Sequence, residues 1–261
     1  NVTWLSGFLG NDSWLVVGRS VALVTDSRYT EQACTECSNC RIVERKGPIS
    51  AAAGEVLNRS KTVAVVGIEK SNALITVEAV RKALDAKLKP VAGLVEAIRE
   101  VKDEHEIRQI RKAAATGWTA LARALAHVRP GITESELAGQ LELQIRRLGC
   151  TVSFETIVAF GPNGSRNHHQ PGSRKLRRND TILIDFGIRR QGYCSDTTRC
   201  FGFGRVTAEF RRAYDTVRQA QQAAIAAVRE GARLADVDRA ARAVIEDSGF
   251  PVYGHGTGHG L

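Results

Sequence analysis

Methionine is absent from all 261 residues, position 1 included. Asn1 opens what reads as the middle of a domain, so the chain is expected to lack its amino-terminal start. Long apolar runs are missing too. None approaches the ~18 residues that a bilayer-spanning helix needs, which excludes a helical membrane protein. No secretory leader is visible, and a missing start would hide one. Aromatic residues make up only 6% of the chain and no basic stripe interleaves with them. The net charge of +9, from 37 basic against 28 acidic residues, therefore reads as solvated faces such as RKLRR at 174–178, with no nucleic-acid partner. Cysteine is sparse. Cys34, Cys37 and Cys40 are spaced C-x2-C-x2-C, as in zinc and iron–sulfur sites, but no fourth cysteine follows nearby. The default expectation is free, half-buried or surface thiols, which fits a reducing cytosol and a cytoplasmic location.

What is present suffices for two modest cores: 43% apolar and 25% charged residues. Short strand-like runs (WLVVG, VALVT, TVAVVGI) alternate with helical stretches such as 76–86, predicting an α/β layer over residues 1–98. From LVEAIREVKDEHEI onward the pattern turns helical, and the boundary is placed near 99, giving a second domain over 99–261. A helix is expected from about 103 to 128, ending before Pro130 and Gly131. The next opens on Thr133 and Glu136, a capping box, and closes at Gly149. An internal repeat is visible: AHVRPG at 126–131 and AAVREG at 226–231 align at an offset of 100, as do Gly149 and Gly249. A pseudo-twofold domain follows, with any site between its halves.

Chemistry concentrates in TILIDFGIRRQGYCSDTTRCFGFGR and in HGTGHG at 255–260. Two β-branched runs flank the polar RRQG at 189–192, predicting a hairpin. A turn centred on Arg190 and Gln191 would set Asp185 directly opposite Asp196. Cβ atoms so paired lie roughly 4.5–5.5 Å apart, which suits clamping metal ions about 3.5–4 Å apart. Without a cation or a shared proton, such a pair would repel itself. His255 and His259 sit in a glycine-rich run that reads as extended rather than helical. Over four residues at ~3.3 Å each only one ring can reach a given metal, and the other lines the approach.

Together IDFG, GYCSDTTR and HGTGHGL resemble the pita-bread metallopeptidases, in the branch of Xaa-Pro aminopeptidase and prolidase. NVTWLSGFLGNDSWLVV and TDSRYTEQA are similar to the amino-terminal domain of that branch. The resemblance implies a three-layer, ribonuclease H-like α/β domain followed by an α+β pita-bread domain with a pseudo-twofold repeat. It implies a centre of two divalent metal ions bound by Asp185, Asp196 and His259, with His255 and His168 catalytic and contacting substrate, and His169 the alternative to His168. The oxygen-rich ligands suit Mn²⁺, with Co²⁺ or Zn²⁺ as alternatives. The implied activity is removal of the residue before proline from Xaa-Pro peptides by attack of a metal-bridging hydroxide, in a homodimer. A metal-free binding module and a creatinase-type hydrolase are the rival expectations.

The family completes its site with two glutamates and a further histidine beyond HGTGHG, whereas this sequence stops at Leu261. Three side chains cannot fill two coordination spheres. The chain is thus expected to be a fragment short of both ends, inactive by itself and a weak metal binder.

Overall fold

β-Branched and apolar runs at the front of the chain become strands because their side chains fit a pleated, half-buried surface. The computed structural model describes residues 1–260, which divide into two units, Asn1–His105 and Glu106 onward. The first unit runs α1 (Val2–Ser6), β1 (Trp14–Val17), β2 (Val21–Thr25), α2 (Thr30–Glu36), β3 (Arg41–Glu44), α3 (Ile49–Asn58), β4 (Val65–Glu69), α4 (Leu74–Ala83), β5 (Lys87–Val91) and α5 (Leu94–Glu100). β1 and β2 pair antiparallel, while β3 lies parallel to β2 through the α2 crossover. β4 and β5 pair parallel through α4. The continuous apolar run of β2 has a physical cause: Ala22, Leu23 and Val24 are all buried, as a central strand covered on both faces requires.

Phe8, Leu23, Ala33 and Cys37 form this unit's small core. Burial, and then the neighbouring Cys40, push the Cys37 thiol up to about 11, so it stays a neutral thiol at neutral pH. All six cysteines are free.

From the boundary, which falls in the first turn of α6 (Glu104–Leu125), the second unit runs on through α7 (Glu134–Arg147), β6 (Thr151–Val152), β7 (Ile157–Phe160), a 3-10 turn (Gly161–Ser165), β8 (Thr181–Phe186), β9 (Ile188–Arg190), β10 (Tyr193–Cys194), β11 (Thr197–Gly202), α8 (Ala208–Ala227) and α9 (Leu234–Asp247). The capping box at the start of α7 forms: the Glu136 N–H donates to Thr133 Oγ1 at 3.1 Å and the Thr133 N–H to Glu136 Oε2 at 2.7 Å. α7 and α9 begin and end 100 residues apart, so the repeat is a repeat of structure. Each first-helix partner, α6 or α8, precedes its copy, and α8 packs on α9 through Ala220, Ala224, Ala241 and Ile245.

β8 lies between β7 and β11, antiparallel to both. Its alternation is a half-buried strand's: Ile182, Ile184 and Phe186 enter the core with Leu137, Leu141 and Ile145 of α7, while Asp185 faces the other way. Each such apolar side chain, fully buried, contributes about 1.5–3 kcal/mol. The hairpin register differs from the expected one. Tyr193 pairs with Arg190 and Thr198 with Asp185, so the turn is centred on Gln191 and Gly192. Both of those residues take left-handed backbone, with φ of 50° and 85°, as the two-residue turn matching strand twist demands. Moving the centre by one residue moves every partner by two. Asp196 is consequently not opposite Asp185, but one pleat period along on the same face, in the gap between β10 and β11.

Opposite that gap the ladder is also interrupted at Gly187, between β8 and β9. A Cβ there would stand 2.1 Å from Ser153 Oγ and 2.2 Å from the Ser195 carbonyl oxygen. HGTGHG also departs from expectation: among the described residues it forms no strand and no ladder, only bends. Side chains of α9 hold it. Asp238 accepts from the Thr257 N–H at 3.0 Å, and Arg242 Nη1 donates to the Tyr253 carbonyl at 2.8 Å. Arg242 lies over the Tyr253 ring, 4.6 Å from its centroid, and donates to Asp238 Oδ2 at 2.6 Å.

Candidate functional site

Asp185 is carried by the central strand and half-buried on the face away from the helical core. Its direct partner across the ladder, Thr198, donates its hydroxyl to Asp185 Oδ1 at 2.7 Å. Burial pushes the Asp185 carboxyl above its ordinary range. The Thr198 hydroxyl opposes that rise, the charge of Asp196 adds to it, and His259 and His168 counter it. Asp196 Oδ2 stands 3.4 Å from His259 Nε2. Asp185 thus feels the charge of one further carboxylate and of two imidazoles brought from outside the hairpin.

The sequence-derived residues divide accordingly. Asp185, Asp196, His259 and His168 share this electrostatic neighbourhood. His255 stands outside it, its ring stacked on Tyr253 at 5.0 Å and its Nδ1 2.9 Å from the Gly256 carbonyl oxygen. His169, the alternative to its neighbour, is buried and points elsewhere: its Nε2 lies 2.8 Å from Glu134 Oε2. Among the described residues no three His, Cys, Asp or Glu side chains converge closely enough to hold a metal ion. The donor types fit a divalent ion, and the spacing needs closing. Thr198 was not foreseen, because the assumed register put Asp196 in its place. Glu134 carries no sequence signal beyond its place between the capping residues Thr133 and Glu136. The i,i+4 pair Asp238 and Arg242 had a helical spacing as its one visible signal.

Residues 108–261 match Metallopeptidase family M24, and residues 1–101 match the Creatinase/Prolidase N-terminal domain. The chain belongs to metallopeptidase family M24. Its α/β amino-terminal domain precedes a pita-bread domain, as the repeat and the resemblance implied. This M24 chain is 33% identical over 266 aligned positions to the uncharacterized peptidase YqhT of Bacillus subtilis, covering 100% of itself and 75% of that protein. It is 36% identical over 169 positions to an uncharacterized peptidase of Staphylococcus aureus strain USA300, covering 64% of itself and 48% of that protein. Among solved structures it resembles the Xaa-Pro dipeptidase from Bacillus anthracis, with a TM-score of 0.92 and 29% identity over 99% of this chain and 74% of that one. It also resembles the X-Pro aminopeptidase from Thermotoga maritima, with a TM-score of 0.88 and 31% identity over 95% and 71% of the two chains.

Glu134 gives this M24 chain a pH dependence with a definite sign. Burial alone would raise its carboxyl, but the His169 ring, the Phe160 N–H, the Asn163 amide and the Gly172 N–H hold it below its ordinary range. Because the folded value lies below the unfolded one, the ionised carboxylate adds stability at pH above the unfolded value, and that stability disappears as pH falls through the folded value. Glu134→Gln cannot titrate. Urea melts stepped through the acid range should therefore show a shallower pH slope for the variant than for the native protein, and equal slopes would contradict the assignment.

Proposed function

We propose that the protein is a divalent-metal-dependent exopeptidase that releases the residue before proline from Xaa-Pro peptides. The observation that carries this reading is the approach of His259, from the segment after α9, to within 3.4 Å of Asp196 on the hairpin that also carries Asp185, in an M24 domain, with the charge of His168 also felt by Asp185. Asp185 and Asp196 supply hard oxygen donors and His259 an imidazole, a set suited to Mn²⁺, with Co²⁺ or Zn²⁺ also accommodated. Bound ions would lower the pKa of water and polarise the scissile carbonyl. The chain's own residues do the rest. Thr198 fixes the Asp185 carboxylate in orientation, as partners of ligating carboxylates do. The charge of His168 acts on the same carboxylate, and His168 would stabilise it or carry a proton, while His255, on the glycine-rich segment held by Asp238 and Arg242, would contact substrate.

Three donors leave two coordination spheres unfilled, so residues 1–261 taken alone are expected to bind metal weakly and to be inactive. A homodimer and a cytoplasmic location belong to the same reading. Six free thiols support a reducing compartment, and no helix among the described residues is long and apolar enough to cross a membrane. The loose convergence of the donors favours one rival, a metal-free binding module.

The test is release of the first residue from a panel of Xaa-Pro peptides, with Xaa-Ala controls, by the full-length protein with Mn²⁺ and with chelator. Metal-dependent turnover confined to the proline series is expected. No turnover on any member would end the assignment.

A further inference from the structure

The buried carboxylate of Glu134 has no part in the proposed chemistry, yet it is the most heavily engaged side chain near it. Glu134 opens α7 and is 0% exposed. Its Oε1 accepts from the Phe160 N–H and from Asn163 Nδ2, both at 2.8 Å. Its Oε2 accepts from His169 Nε2 at 2.8 Å and from the Gly172 N–H at 3.2 Å. An ionised carboxylate can only accept, so His169 Nε2 carries the hydrogen. Burying such a charge is unfavourable unless its lone pairs are filled, and here donors fill both oxygens.

The donors are not scattered. Phe160 ends β7 and Asn163 lies at the start of the connection to β8, while His169 and Gly172 flank the middle of that connection. One carboxylate therefore ties both sides of the loop that carries His168. Ser135 reinforces the far side, its hydroxyl donating to the Pro171 carbonyl at 2.8 Å. The near side continues into β7, whose Ile157 pairs with Asp185 itself. His168 is exposed while its neighbour His169 is buried, so a lock on the buried ring directs the exposed one.

We propose that Glu134 is a positioning residue that sets the His168 imidazole against the Asp185–Asp196 face, acting through His169 and through its bonds to the start and middle of the loop. This rests on the reading that His168 serves the proposed peptidase. The test uses the full-length protein with Mn²⁺ and Ala-Pro. Glu134→Gln and His169→Leu are compared with His169→Gln, whose amide nitrogen can stand where the ring Nε2 stood, and with His168→Ala. Glu134→Gln and His169→Leu are expected to lower kcat about tenfold or more with KM little changed, because small misplacements of a working group are expensive. His169→Gln should restore kcat to within about twofold, since the bond to the carboxylate is remade. Long-range ¹H–¹⁵N spectra should show the His168 ring signals displaced in His169→Leu and native-like in His169→Gln, independent of turnover. Should Glu134→Gln fail to fold, the two His169 variants decide alone. Native kcat and native His168 signals in a folded His169→Leu, with His168→Ala inactive, would overturn the proposal. Native turnover in His168→Ala would remove the reading beneath it, and the proposal with it.

Discussion

Asp185→Asn in the full-length protein is expected to lower kcat/KM on Xaa-Pro peptides by about a thousandfold, a loss of about 4 kcal/mol of transition-state stabilisation. The substitution keeps the shape of the side chain and an oxygen for the Thr198 hydroxyl, which donates to it at 2.7 Å. What it removes is charge. In the native protein burial already raises the Asp185 carboxyl, and Asp196 raises it further, so the pair is short of positive charge. A divalent cation supplies that charge, and an amide cannot hold it as well. Thermal melts should show Asp185→Asn folded and no less stable than the native protein without metal, because a half-buried negative charge beside another has been taken away. Native kcat/KM in a folded Asp185→Asn would remove Asp185 from the site.

Gly187→Val should be the most damaging substitution in the second unit that touches no proposed functional side chain. The new Cβ would meet Ser153 Oγ at 2.1 Å, the Ser195 carbonyl oxygen at 2.2 Å and Phe154 Cε1 at 2.7 Å. Two of these can turn aside. The carbonyl belongs to backbone one residue before Asp196 and cannot move without unseating the register, in which the Ser195 N–H donates to the Ile188 carbonyl at 2.9 Å. Overpacking of this kind is expected to cost about 3 kcal/mol or more, which for a unit of this size lowers Tm by roughly 6–12 °C. Gly139→Ala is the control. Its Cβ would meet nothing within 4 Å, on the exposed side of α7, so Tm should hold or rise slightly. Equal Tm values for Gly187→Val and the native protein would show that the close backbone approach at Gly187 is not needed.

Both effects turn on the hairpin, where part of the structure is legible in the residues and part is not. Strand pattern and turn composition identified it, and Asp185 and Asp196 fell on a common face in either register. RRQG offers two turn centres, and the choice between them depends on left-handed backbone at Gln191 as well as Gly192, which the amide of a glutamine does not advertise. Thr198 was lost with that choice. Local rules served where the cause was local. The capping box of Thr133 and Glu136 forms as read, and the offset of 100 recurs as the matching bounds of α7 and α9.

Partners distant in sequence stayed hidden. Glu134 binds residues 26 to 38 positions away, and no periodicity links them. HGTGHG read as a strand because glycine-separated histidines suit an extended chain, but glycine brings no side chain to pack and specifies no ladder partner. Asp238 and Arg242 pin it instead.

The central claim is that Asp185, Asp196 and His259 are metal ligands. Calorimetric titration of metal-stripped full-length protein with Mn²⁺ tests it most directly. Two ions per chain are expected for the native protein, with binding weakened at least about tenfold in each of Asp185→Asn, Asp196→Asn and His259→Ala. Native affinity and stoichiometry in all three variants would contradict the account, as would a native protein that takes up no Mn²⁺.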